Sequence, residues 1–184
     1  MKKNNLKGWG SVAVHSGHQK DPNYAHLTPI YASSTYIFDS AEQGMHRFTG
    51  QEKGYIYGRW GSPSITEAEE KIAALETYGI SLEATAILHA SGMAAITTLL
   101  MSTLSQGDKI LSHFSLYGGT DELVHRILPR FGVSAVIEDL RDLEKAESAL
   151  RKDKSIKMVY LETPANPTIQ CVDIAALSTL AKKY

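Results

Sequence analysis

Residues 84–107 read ATAILHASGMAAITTLLMSTLSQG, and the fold turns on them. Ala84 to His89 form a short apolar run with β-branched members, the pattern of a buried strand. Ala90, Ser91 and Gly92 are small, so the backbone can turn tightly and a ligand can approach it. Met93 to Leu104 reads as an apolar helix, closed by Ser105-Gln106-Gly107-Asp108. A strand, a small-residue turn and a helix start together make an anion site. The first helical N–H groups have no intrahelical partner, and the macrodipole adds partial positive charge. A phosphate seated on Gly92 and Met93 is one reading of this turn. The other is a βα unit whose small residues serve packing alone.

Outward from this stretch the pattern repeats. Lys109 to Phe114 reads as a strand leading to a helix over Thr120 to Arg130, which Pro129 closes. Val133 to Ile137 leads to a helix over Asp142 to Arg151. Lys157 to Leu161 leads, through a Pro-rich loop, to a helix over Asp173 to Lys183. Alternation of this kind predicts an α/β fold with a parallel sheet flanked by helices. Ligands of such sheets sit at the carboxyl ends of the strands. The loops of interest are therefore His89 to Met93, Ser115 to Thr120, Glu138 to Arg141 and Glu162 to Thr168.

Before the alternation, residues 1–61 are rich in glycine, proline and aromatic residues, and lack a long period. A short helix is expected over Ser40 to Phe48, with Ser40 as N-cap. Ile30, Tyr31, Tyr36, Ile37 and Phe38 are too apolar for a solvated tail, so this region reads as an arm that packs on something else. Ser62-Pro63 opens a helix whose Ile65, Ala68, Ile72 and Leu75 share one face, and Thr77-Tyr78-Gly79 ends it. The domain expectation is thus an arm over 1–61 and a ligand-binding domain over 62–184. The last residues, Lys182-Lys183-Tyr184, end a helix where the alternation predicts a further strand, so a longer protein is expected.

Composition narrows the classes. The 184 residues suffice for one domain with a core, or for a domain plus an arm. Net charge is -1, with 43% hydrophobic and 21% charged residues, which offers no electrostatic case for nucleic acid or an anionic membrane. Met1-Lys2-Lys3-Asn4-Asn5 is basic with no apolar run behind it, so neither a signal peptide nor a membrane span is expected, and cytoplasm is the default. Cys171 is the single cysteine, which excludes a disulfide framework, and it reads as a small buried residue. The seven histidines form no metal-ligand spacing.

Four segments carry distinctive chemistry. Ser91-Gly92-Met93 is the phosphate candidate. Leu116-Tyr117-Gly118-Gly119-Thr120 sets an aromatic ring at a strand end. Glu162-Thr163-Pro164-Ala165-Asn166-Pro167-Thr168 offers an acid and an amide in a loop stiffened by prolines. In the arm, Tyr55-Ile56-Tyr57-Gly58-Arg59 places a phenol and a guanidinium two residues apart, on one side of an extended segment. Arginine suits phosphate through its bidentate fork. Singly, Tyr117 reads as a core aromatic, Glu162 and Asn166 as loop caps, and Arg59 as a surface charge.

Together, in this order and spacing, and with Thr28-Pro29-Ile30-Tyr31 and Ser34-Thr35-Tyr36, these segments resemble the pyridoxal-phosphate (PLP) enzymes of cysteine and methionine metabolism. That family includes cystathionine γ-synthase, cystathionine γ-lyase and β-lyase, methionine γ-lyase and the O-acylhomoserine sulfhydrylases. The resemblance runs from about His15 to Tyr184. It implies the fold-type I, aminotransferase-like architecture, pyridoxal 5'-phosphate as cofactor, and a homotetramer built as a dimer of dimers. It also implies roles. Ser91, Gly92 and Met93 hold the cofactor phosphate, Tyr57 and Arg59 reach the phosphate of the neighbouring subunit's cofactor, and Tyr117 stacks on the pyridine ring. Asn166 bonds the phenolic oxygen, and Glu162 lies near that oxygen as a supporting group rather than as a base. Tyr117 and Tyr57 are the expected catalytic side chains.

The sequence departs from the family in places. Ser62-Pro63-Ser64 stands where the family commonly has Asn-Pro-Thr, and serine caps as well as asparagine. Gly119 stands where many methionine γ-lyases have cysteine, which favours cystathionine enzymes and sulfhydrylases. The family's Schiff-base lysine, pyridine-nitrogen aspartate and substrate-carboxylate arginine match no residue here. The resemblance implies γ-elimination or γ-replacement on homoserine-derived, cystathionine-type or methionine-type amino acids. A β-lyase is the alternative within the family, and a non-catalytic fragment without the lysine is the alternative outside it.

Overall fold

The computed structural model describes residues 8–18 and 21–184. The basic Met1–Asn5 segment lies outside them. Two compact units divide the chain, one up to Leu88 and one from His89 to Tyr184.

The first unit holds three helices. Helix α1 spans Trp9–His15, a helix that composition had left unmarked in the glycine-rich arm. It packs on α3, and Gly17 marks the close approach: it adopts φ 74°, and a Cβ there would lie 2.5 Å from the Glu67 carbonyl oxygen. Helix α2, Ala41–Phe48, starts where Ser40 accepts the Gln43 N–H at 3.1 Å. Helix α3, Pro63–Glu76, starts where Ser62 accepts the Ile65 N–H at 3.3 Å, with Pro63 in its first turn. The arm also brings two extended stretches together. The segment around Ser34 to Tyr36 pairs with Ile56 to Gly58 through Tyr36 N–H to Ile56 O (3.2 Å) and Gly58 N–H to Ser34 O (2.8 Å). Ile30 and Ile37 are each over nine-tenths exposed.

The expected strand over residues 84–89 does not form. The segment is extended, but it joins no ladder among the described residues and Ile87 is largely exposed. Its apolar, β-branched composition suits a strand, yet a strand exists only where a neighbour takes its N–H and C=O groups.

The second unit is the α/β unit. Helix α4 spans Gly92–Thr103, and strand β1 spans Lys109–His113. Next come α5, Gly118–Glu122, a π-turn over Leu123–Ile127 and a 3₁₀ turn over Leu128–Phe131. The expected helix over Thr120 to Arg130 is thus broken into three windings. Pro129 is the cause, since its ring would strike the carbonyl four residues back in a regular helix. The ladder widens just before it, and the Leu128 N–H reaches Leu123 O. Gly132, at φ 76°, then ends the winding. Strand β2, Ser134–Glu138, helix α6, Leu143–Lys152, strand β3, Ile156–Tyr160, and helix α7, Ile174–Ala181, complete the unit.

The three strands run parallel in the order β2-β1-β3. The central strand β1 is buried on both faces. Successive side chains point to opposite faces, so Ile110 and Leu111 feed two different cores. Ile110 packs with Leu100, Leu123, Val124 and Leu128, while Leu111 packs with Leu140, Ala146, Leu150 and Leu177. Helices therefore cover both faces. Cys171 is exposed, not buried: it lies in the polar loop after β3, with its sulfur 3.7 Å from Ile169 O.

Candidate active site

The carboxyl ends of β1 and β3 lie side by side because those strands are neighbours in the sheet. The loop after β1 carries Tyr117, and the loop after β3 carries Glu162 and Asn166. One carboxylate joins the two loops. Glu162 Oε2 accepts the Tyr117 N–H at 2.6 Å. Its Oε1 accepts the Thr120 hydroxyl at 2.7 Å and the Tyr160 hydroxyl at 3.1 Å. Burial pushes the Tyr160 phenol up to about 12, and the adjacent Glu162 charge and its hydrogen bond add to the effect.

This hub reaches the start of α4. The Thr120 hydroxyl lies 3.9 Å from Met93 Sδ. A Cβ at Gly119 would sit 3.0 Å from Met93 Sδ and 2.9 Å from the Tyr117 ring, so glycine lets these two side chains close over it. At the helix start, Ser91 is the N-cap and its hydroxyl accepts the Ala94 N–H at 3.0 Å. The N–H groups of Gly92 and Met93 precede the helical ladder and have no acceptor among the described residues. A Cβ at Gly92 would meet nothing within 4 Å, so space is open there for an anion. The Tyr117 ring is about half exposed, and Asn166 is exposed in its loop. An anion acceptor, an accessible aromatic face and a free amide fit the phosphate, ring and phenolic oxygen of a PLP molecule.

Thus Ser91, Gly92, Met93, Tyr117 and Glu162 come together in the second unit. Tyr57 and Arg59 belong to the first, where the guanidinium carbon stacks 5.0 Å from the Tyr57 ring centroid. The segment is not extended there: residues 58–60 form a turn, closed by the Trp60 N–H to Tyr57 O at 2.8 Å, and it is this turn that folds Arg59 onto the Tyr57 ring. The sequence assigns no role to Thr120, the end of its segment, and does not single out Tyr160. Tyr160 precedes Glu162 by two residues at a strand end, and period-two alternation sets both on one side.

Residues 10–184 match the family described as Cys/Met metabolism PLP-dependent enzyme. The chain belongs to this family. It is 44% identical to L-methionine gamma-lyase of Fusobacterium nucleatum over 98% of this chain and 43% of that protein. It is 36% identical to O-succinylhomoserine sulfhydrylase of Pseudomonas aeruginosa over 93% of this chain and 41% of that one. A crystal structure from Campylobacter jejuni, described as an O-acetylhomoserine (thiol)-lyase with N'-pyridoxyl-lysine-5'-monophosphate, superposes with a TM-score of 0.86 at 32% identity. It covers 96% of this chain and 42% of that one. The fold is therefore that of the fold-type I PLP enzymes, and the chain spans less than half the length of these relatives. The chain is also 44% identical to L-methionine gamma-lyase of Treponema denticola, over 96% of this chain and 42% of that protein. Among the described residues no helix is long and apolar enough to cross a membrane.

Proposed function

We propose that the full-length protein is a PLP-dependent enzyme of sulfur amino acid metabolism that eliminates or replaces a γ-substituent. The observation that carries this reading is the Glu162 hub, which holds Tyr117 beside a helix start with two free N–H groups. PLP, when bound, supplies the electron sink for a carbanion at the substrate α-carbon. The protein's part is placement. The Gly92 and Met93 N–H groups donate to the phosphate, the Tyr117 ring offers a face to the pyridine, and Asn166 offers its amide to the phenolic oxygen. Glu162 holds the Tyr117 backbone still. Tyr117 and Tyr57 are the candidate side chains for moving protons.

Residues 1–61 act in this reading as an arm that completes a neighbouring subunit's site through Tyr57 and Arg59, and 62–184 begin the cofactor-binding domain. The exposed Ile30, Ile37 and Trp60 support an arm that packs on another surface. A cytoplasmic homotetramer acting on a small amino acid is the assembly proposed. Two experiments test the reading. PLP added to the full-length protein should give an absorption band that borohydride fixes covalently, and a protein without that band is not this enzyme. Substrates should then sort the chemistry: thiol release from methionine or cystathionine marks elimination, and thiol uptake by an activated homoserine marks replacement.

A further inference from the structure

We infer that His113 is a positioning residue whose imidazole ties the three strand-end loops together and so holds the Asn166 loop in place against the Tyr117 loop. His113 ends the central strand β1, and its side chain is wholly buried. Its Nδ1 accepts the Leu140 N–H at 3.2 Å. A backbone N–H can only donate, so Nδ1 carries no proton and the ring proton sits on Nε2. Nε2 lies 3.3 Å from Gln170 Oε1 and donates to it. One ring thereby links β1, the loop between β2 and α6, and the loop after β3.

The link reaches the site through Gln170. The Gln170 backbone oxygen accepts the Ala165 N–H at 2.9 Å, and the Ala165 oxygen accepts the Ile169 N–H at 2.7 Å. Asn166 sits inside this closed turn. A second tie lies beside the first, where the buried Ser115 hydroxyl meets the Thr168 hydroxyl at 2.8 Å. The first tie starts from the last residue of β1 and the second from the loop that follows it, the loop that also carries Tyr117. The separation of the Tyr117 and Asn166 loops is therefore set from one strand end. The Asp139 carboxylate, 3.8 Å from Nδ1 and clamped by Arg141 at 2.7 Å, is the nearest charge to the ring. The Phe114 ring lies tilted against the imidazole, at 4.4 Å between centroids.

The effect on cofactor rests on the function proposed above, while the tie itself does not. The test uses the full-length protein with Gln170→Leu, Gln170→Glu and His113→Leu. Two readouts are taken: amide exchange over residues 163–171, and the absorption spectrum of bound PLP. Q170L, which loses one hydrogen bond, should speed exchange in that segment about tenfold, H113L, which loses two, at least as much, and both should shift the PLP spectrum. Q170E keeps an acceptor oxygen and should restore both. Exchange and spectrum unchanged in Q170L, or no rescue by Q170E, overturn the inference. Q170L alone decides it where H113L does not fold. Where the wild-type protein takes up no PLP, the functional reading fails, and the exchange measurement still decides the tie.

Discussion

Removing the Glu162 carboxylate is the sharpest perturbation of the site. Glu162→Ala strips an acceptor from three donors at 2.6, 2.7 and 3.1 Å. Hydrogen bonds to a charged group contribute roughly 1.5–3 kcal/mol each. The sum is an upper bound, because water can replace the carboxylate at the exposed Tyr117 N–H. It cannot do so readily at Thr120, whose side chain is fully buried. A stranded buried hydroxyl costs about 1–3 kcal/mol, and the half-covered Tyr160 hydroxyl adds about 1 kcal/mol. The expected loss is therefore about 2–4 kcal/mol, which lowers the melting temperature by roughly 5–15 °C for a chain of this size. Chemical and thermal unfolding measure it. The Tyr160 phenol gives an independent readout by near-ultraviolet titration. Without Glu162 its pKa should fall from about 12, yet stay above the ordinary tyrosine value, because burial is the larger cause. A Tyr160→Phe variant completes a double-mutant cycle, with a coupling of about 0.5 kcal/mol or more expected between contacting residues. An E162A protein that unfolds within about 0.5 kcal/mol of wild type, with Tyr160 titrating unchanged, would refute the hub.

Four further outcomes follow from the same contacts. Arg59→Ala in the full-length protein should weaken PLP retention by roughly 1.5–3 kcal/mol, the value of one charge-assisted phosphate contact, and unchanged affinity in equilibrium dialysis would remove the phosphate role. Leu100→Ala should destabilise the second unit by about 2–5 kcal/mol in urea unfolding, since Leu100 is fully buried in the core beside β1. Wild-type stability should fall as pH rises from about 10 to about 12: the folded Tyr160 pKa lies above its unfolded value, so its contribution is whole below 10 and is lost through 12. At the acid end the Lys109 ammonium, 2.7 Å away, holds the Asp153 carboxyl down to about 2, so its contribution is present above about 4 and lost as pH falls through 2; Lys109→Met should flatten that acid limb.

The parts of the fold legible in the sequence are those with local causes. Ser40 and Ser62 announce helix starts, and both side chains accept an N–H from the first turn. The runs over 109–113, 134–138 and 156–160 are strands because their residues suit a sheet buried on both faces. Residues 84–89 carry the same composition and still form no ladder, because pairing depends on a neighbour that local sequence does not name. Strand order is equally silent. Nothing in the spacing says that β1 lies between β2 and β3, and it is that order which brings Glu162 to Tyr117 across 45 residues. His113 escaped notice for the same reason: both of its partners, Leu140 and Gln170, are long-range.

The geometry of Glu162 bears on which group moves protons. A general base needs a lone pair aimed at the proton it takes, within about 3 Å. Glu162 lies at a strand end beside the candidate cofactor face, where an acid would be well placed for that work. Its two oxygens are instead engaged by three protein donors, two of them hydroxyls that accept nothing from a carboxylate. Taking a proton would require breaking at least one of these bonds and stranding the buried Thr120 hydroxyl. The carboxylate is also what fixes the backbone of Tyr117. A group that both orients the ring and shuttles protons would lose its orienting hold at each transfer. Its engagement favours a fixed anchor, and leaves proton movement to groups not so engaged, among them the half-exposed Tyr117 proposed above for that role.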